Sequence, residues 1–210
     1  MADKRASVLL VQFAKAPVEG QVKTRMIPFL TPRQACDLHC ELVLWTSGQL
    51  VNAQLGDIEL AVSGSATHPL FEQARQMGVD QVSVQRGTDL GQRMYHAIRA
   101  GLCSYNKVIL VGSDCPAIDA VALCAGVEAL DHADVVLGPA EDGGYVLIGA
   151  RKVSAVLFEG IPWGTAEVYA ATREALLQLG WEWAALPPMA DVDRPQDIAA
   201  WHTLRDSSRG

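Results

Sequence analysis

The sequence predicts an α/β fold of three layers, with a mainly parallel sheet between helices. Two observations predict it. Short apolar runs of strand length alternate with segments of helical spacing along nearly the whole chain. The runs at 7–13 and 107–111 are apolar without turn residues, the pattern of strands buried in a parallel sheet. Half of the 210 residues are hydrophobic and a fifth are charged, enough for one sizeable core. Residues 1–205 therefore read as a single domain, and residues 206–210 as a frayed tail.

Residues 7–13 (SVLLVQF) form an apolar run without turn residues, the pattern of a buried parallel strand. A loop with Pro17 and Gly20 follows. Thr31 and Pro32 then open a long helix as N-cap and first residue, and Gly56 is expected to end it. Strands are expected over 58–62, 81–85, 107–111, 134–137, 145–148 and 183–186. Helices are expected over 69–77 closed by Gly78, 89–100 closed by Gly101, 119–130, 165–179, and after Pro195.

The net charge of -7 argues against a general nucleic-acid binder. Cys36, Cys40, Cys103, Cys115 and Cys124 lack framework or zinc spacing, so they read as reduced packing thiols of a cytoplasmic protein. The apolar run Val8 to Val11 is too short for a signal core or a membrane span. His39, His68, His96, His132 and His202 sit in no catalytic pattern.

Five segments carry chemistry. The first loop places Lys15, Lys23 and Arg25 within eleven residues, with Gly20 to let the backbone turn. Fixed cations and backbone N–H groups suit a polyphosphate; the alternative is a solvated loop. Asp114 directly follows a buried strand, where a hard oxygen ligand suits Mg²⁺ or Mn²⁺, or where it forms a turn before Pro116. Cys115 beside it reads as filler.

Glu141 and Asp142 precede Gly143, Gly144 and Tyr145. This is either a hairpin turn or a pocket for a polar acceptor or second metal. Asp191 and Asp193 place two carboxylates on one side of an extended segment, with one of them expected to cap the helix at Pro195. In the loop from Gln85 to Arg93, Gly87 and Gly91 allow close approach and Arg93 can meet a base or phosphate. Thr88 or Asp89 serves equally as a helix cap. Trp163 reads as packing, or as a substrate-stacking ring.

Six segments in order resemble the bacterial family of glycosyltransferase-A-like transferases associated with radical-SAM and selenium-linked genes. They are FAKAPVEGQVKTRMIPFL (13–30), QRGTDLGQRM (85–94), VGSDCPAI (111–118), LGPAEDGGYVLIG (137–149), IPWGTAEV (161–168) and DVDRPQDI (191–198). The layout is more distantly similar to molybdopterin-guanine-dinucleotide synthase and phospholactate guanylyltransferase. The resemblance implies the nucleotide-diphospho-sugar transferase fold. It implies phosphates on Lys15, Gly20, Lys23 and Arg25, and a base near Gly87, Asp89, Gly91 and Arg93. It also implies a metal on Asp114 with Asp193 or Asp191. The chain departs from the pattern twice: Gly20 is the only glycine of its first loop, and Ser113-Asp114-Cys115 replaces an Asp-x-Asp motif.

The expected function is metal-dependent group transfer from a nucleotide donor, with Lys23, Asp114 and Asp142 at the reacting centre. Nucleotidyl transfer from a nucleoside triphosphate leads, because a basic loop suits β- and γ-phosphates. Glycosyl transfer from a nucleotide sugar is the alternative, and a non-catalytic nucleotide-binding regulator is a third. The expected partners are the donor and a small acceptor, with no nucleic acid and no membrane span.

Overall fold

The computed structural model describes residues 8–207. Seven strands make one sheet: β1 (Val8–Lys15), β2 (Asp57–Ser63), β3 (Gln81–Val84), β4 (Lys107–Gly112), β5 (Val135–Pro139), β6 (Tyr145–Ala150) and β7 (Trp183–Ala185). Their spatial order is β3-β2-β1-β4-β6-β5-β7. All neighbours pair in parallel except β6, which runs antiparallel to both β4 and β5. The turn between β5 and β6 therefore lies at the carboxyl end of the parallel strands, beside the loops leaving β1 and β4.

Among the described residues six α-helices complete three layers: α1 (Pro32–Ala53), α2 (Pro69–Met77), α3 (Leu90–Leu102), α4 (Ala120–Ala129), α5 (Val168–Gln178) and α6 (Ile198–Ser207). Strand alternation splits β1 between two cores. Leu10 joins α1, α2 and α4 through Val43, Phe71 and Leu123, whereas Leu9 and Val11 join α3 and α5 through Ile98 and Leu176. A third cluster of Met26, Leu42, Val192 and Trp201 packs the first loop and the C-terminal segment onto α1. That cluster makes residues 23–26 and 190–193 neighbours.

Gln12 interrupts the apolar run of β1 but is fully buried. Its amide donates to the Val43 carbonyl and the Ser113 hydroxyl, both at 2.9 Å, and accepts from Ser47 at 2.7 Å. A buried amide is tolerated when its partners are present, and this one ties α1 to the end of β4.

Several boundaries differ from the sequence reading. Thr31 is the expected N-cap and completes a capping box with Gln34, but α1 ends at Ala53 with Gln54 left-handed. Gly56 serves a close approach instead, since a Cβ there would lie 2.1 Å from the Val8 carbonyl oxygen. Gly101 lies inside α3 against Val108 and Leu9. Asp206 and Ser207 complete α6 rather than fray, and the rest of the expected tail, with Ser7, lies outside the described residues. No helix among the described residues is long and apolar enough to cross a membrane.

Candidate active site

The first loop puts two cations to opposite uses. Lys23 is left-handed, with φ 49°, and turns its side chain inward. Only 2% of that side chain is exposed. Its ammonium lies 2.7 Å from Asp114 Oδ1 and donates to the Val192 carbonyl. A lysine is buried this deeply when it is paired. Lys23 is thus a clamp between the end of β4 and the C-terminal segment, and its charge is already used. This corrects its reading as a free phosphate cation. Arg25, two residues on, is 53% exposed and pairs with Asp193; that bond raises the guanidinium's already high pKa. Lys15 is exposed at the end of β1, and Gly20 forms an open turn at φ 76°.

Beneath this loop lies a residue that sequence reasoning passed over. His39 Nε2 is 3.0 Å from the Lys15 carbonyl, and burial lowers the imidazole's pKa. A neutral ring donating to that carbonyl fixes where β1 ends. Nothing in the spacing of the five histidines marks it.

Asp114 and the Asp191–Asp193 segment meet, although some eighty residues separate them. Val192 N–H donates to the Asp114 carbonyl at 2.8 Å, and the Cys115 thiol donates to the Ala190 carbonyl at 3.3 Å. Val192 is buried between the two aspartates, which both line one small cleft. Neither caps the following turn. Asp197 does so, accepting from the N–H groups of Asp193 and Arg194 at 3.0 and 2.7 Å.

The third wall is a hairpin. Gly143 has φ 91°, and a Cβ there would lie 2.2 Å from the Ala166 carbonyl oxygen. Asp142 accepts from Gly144 N–H at 3.0 Å, and Gly143 O accepts from Tyr169 N–H at 2.9 Å, so the turn is held at both ends. Turn geometry therefore does account for Asp142-Gly143. The same turn leaves Glu141 and Asp142 exposed on a cleft of about 260 Å³, shared with Arg25, Asp191, Asp193 and Asp197. Burial, with Asp142 and Asp193 nearby, raises the pKa of Asp191.

Tyr145 does not face this cleft. Its ring meets Trp163 edge-on at 6.3 Å, and its buried hydroxyl lies by Thr172, where desolvation pushes the phenol pKa up. Trp163 packs on Gly91, whose added Cβ would stand 2.9 Å from the indole. Both aromatics are thus packing residues, and Gly91 makes room for a ring.

The loop from Gln85 to Arg93 is also braced internally. Asp89 caps α3 by accepting from Gln92 N–H at 2.8 Å. Arg93 donates to the Gly87 carbonyl at 3.1 Å and to the Ser63 hydroxyl at 3.0 Å. Gly87, at φ 134°, has no room for a Cβ beside Arg93 N. Arg93 lines a separate groove of about 810 Å³ along α3, β2 and β3, which shares no lining residue with the acidic cleft. The larger cavity is thus not where the carboxylates and Arg25 converge.

Residues 46–165 match the model of a family described as an uncharacterized protein conserved in bacteria (DUF2064). The chain belongs to the DUF2064 family. The matched stretch contains Asp114 and the hairpin but neither the basic loop nor Asp191 and Asp193. A solved relative spans more of this DUF2064 chain. It is a Desulfovibrio desulfuricans G20 protein provisionally named a nucleotide-diphospho-sugar transferase, 33% identical, covering 89% of this chain and 82% of its own, with a TM-score of 0.80.

Two more distant structures show the same fold. A CMP:2-keto-3-deoxy-manno-octonic acid synthetase complexed with CTP is 12% identical, with TM-score 0.59 over 97% of this chain and 100% of that one. The 4-diphosphocytidyl-2C-methyl-D-erythritol synthase of Anaerococcus prevotii DSM 20548 is 8% identical, with TM-score 0.62 over 94% and 96%. No curated protein matches the sequence. The fold is thus that of the nucleotide-diphospho-sugar transferases, as the sequence resemblance implied.

The resemblance read from the sequence implies a divalent metal on Asp114 with Asp193 or Asp191. Among the described residues no three His, Cys, Asp or Glu side chains stand together as a ready metal site. Mg²⁺ needs less protein than that, since it keeps waters and shares its shell with substrate phosphates. Asp114 is half exposed and its buried Oδ1 faces Lys23 without a directed hydrogen bond. Asp191 sits beside Asp142 and Asp193, with Lys23 as a weaker opposing charge. Carboxylate oxygens of this kind would suit a hard cation that arrives with phosphate.

Proposed function

We propose that the protein transfers a nucleotidyl group from a nucleoside triphosphate to a small polar acceptor. One observation carries this reading: the exposed Arg25 and five carboxylates converge on a single cleft at the carboxyl ends of the strands. In an open α/β sheet that is where ligands sit. Arg25, with Lys15 at the end of β1, would neutralise the polyphosphate. Asp114 and Asp193 or Asp191 would hold a divalent ion, which supplies charge stabilisation to the transferring phosphoryl group. Lys23 would set the Asp114 carboxylate without touching the donor. Glu141 and Asp142, on the rigid hairpin, would face the acceptor and orient its nucleophilic group. Positioning and charge stabilisation suffice for this class of chemistry.

Glycosyl transfer from a nucleotide sugar is the second reading, favoured by the name given to the 33% identical relative. Incubation with labelled nucleoside triphosphates and with UDP- and GDP-sugars, each with a panel of polyols and phosphorylated acceptors, separates the two. Pyrophosphate as product supports the first, and nucleoside diphosphate the second. Tight nucleotide binding without either product across the panel would support a non-catalytic regulator.

A further inference from the structure

Arg25 and Asp193 pair across the mouth of the acidic cleft, and the two partners are held very differently. The Asp193 backbone is pinned from several sides. Its N–H and that of Arg194 donate to Asp197, and the adjoining Val192 is bonded to both Asp114 and Lys23. Asp193 is only 27% exposed, whereas Arg25 is 53% exposed at the end of a long flexible stem. When the pair opens, the guanidinium is the part that moves.

Lys23, two residues away, cannot substitute for it, since its ammonium is buried against Asp114. Arg194 also lines the cleft and is exposed, so only a phosphate that seats on Arg25 must take that guanidinium from Asp193. A phosphate offers more charge than a carboxylate and the same bidentate geometry for a guanidinium. A partly exposed pair of this kind holds weakly enough for such an exchange. Once freed, the Asp193 carboxylate remains in the cleft because its backbone does not move.

We propose that Asp193 is an intramolecular competitor for the phosphate seat at Arg25, so that the free protein binds polyphosphate more weakly than its cations alone would allow. This rests on the nucleotide-donor reading above and adds to it a residue that sets donor affinity. It also separates the two roles open to Asp193. A pure metal ligand would strengthen donor binding, so its loss would weaken binding. A competitor weakens donor binding when no metal is present, so its loss tightens it.

The test is calorimetric titration of ATP, CTP, GTP and UTP in EDTA into the wild type, Asp193→Asn, Arg25→Ala and the double variant. Asp193→Ser serves as a second variant should the amide disturb the segment, with melting temperature as the check on folding. Asp193→Asn should bind the preferred triphosphate about two- to fivefold tighter than wild type, and the gain should vanish in the Arg25→Ala background. Equal or weaker binding by folded Asp193→Asn and Asp193→Ser overturns the proposal. Absence of binding by every chain in EDTA, with wild-type binding restored by Mg²⁺, also overturns it and leaves the donor reading standing. Absence of binding under both conditions overturns both.

Discussion

Lys23 and Arg25 stand two residues apart, and the structure predicts that removing them has opposite consequences. Lys23→Met keeps the aliphatic stem and deletes the ammonium that Asp114 and the Val192 carbonyl share. Breaking one side of a fully buried ion pair costs about 3–5 kcal/mol. Asp114 is 49% exposed and can recover part of its hydration, so about 2 kcal/mol is expected here. For a chain of this size that is a fall of roughly 4–8 °C in melting temperature. Arg25→Ala removes an exposed pair and should cost less than about 1 kcal/mol. Urea unfolding of both variants alongside wild type measures the difference, with a constant slope as the sign that only stability has changed. Equal stability of the two variants would refute the burial argument and return Lys23 to the role of a mobile loop cation.

Arg25→Ala should weaken binding of the preferred triphosphate in the presence of Mg²⁺ about ten- to a hundredfold, since a charge-assisted phosphate contact is lost; calorimetry reads this directly. Asp114→Ala should destabilise the protein by leaving the Lys23 ammonium buried and unpaired, read as a lower melting temperature, rather than relieve a repulsion between free acids. That relief belongs to Asp191. Its folded pKa is raised, so its charged form weakens the fold, and stability falls as pH rises through the folded pKa. Asp191→Asn should therefore melt slightly higher than wild type at pH 7, with the advantage disappearing toward pH 4. Gly143→Ala should cost several kcal/mol or fail to fold, because Ala166 blocks the Cβ. Asp142→Asn should lower turnover while changing donor affinity little, as steady-state and binding measurements together would show.

Much of the layout was legible because strand runs and helix caps are local signals. Thr31, Pro32, Asp89 and Asp119 mark helix starts where the sequence says they should. Asp114, Glu141 and Asp142 were legible as residues following strands, and the approach of the 191–193 segment to Asp114 is seen in the Val192–Asp114 backbone bond. What was not legible depends on distant partners. No spacing rule says that Lys23 folds inward, because its burial is decided by Asp114 and Val192, far along the chain. Gln12 hides in an apolar run for the same reason, its amide being satisfied by Val43, Ser47 and Ser113. Tyr145 looked like a site aromatic because it follows the glycines, but alternation along β6 turns it toward Thr172. Asp197 took the cap expected of Asp191 or Asp193, which leaves both of those carboxylates on the cleft.

The most direct test of the central claim is a melting-temperature screen of the wild type and Arg25→Ala against the four nucleoside triphosphates and UDP- and GDP-sugars, each with Mg²⁺. A ligand at a hundred times its dissociation constant stabilises the folded state by about 2.7 kcal/mol, which is roughly 5–10 °C for this chain. At least one triphosphate should raise the wild-type melting temperature by that amount, with a clearly smaller rise in Arg25→Ala. No shift with any nucleotide, or an equal shift in both chains, would contradict the assignment of a nucleotide donor to this cleft.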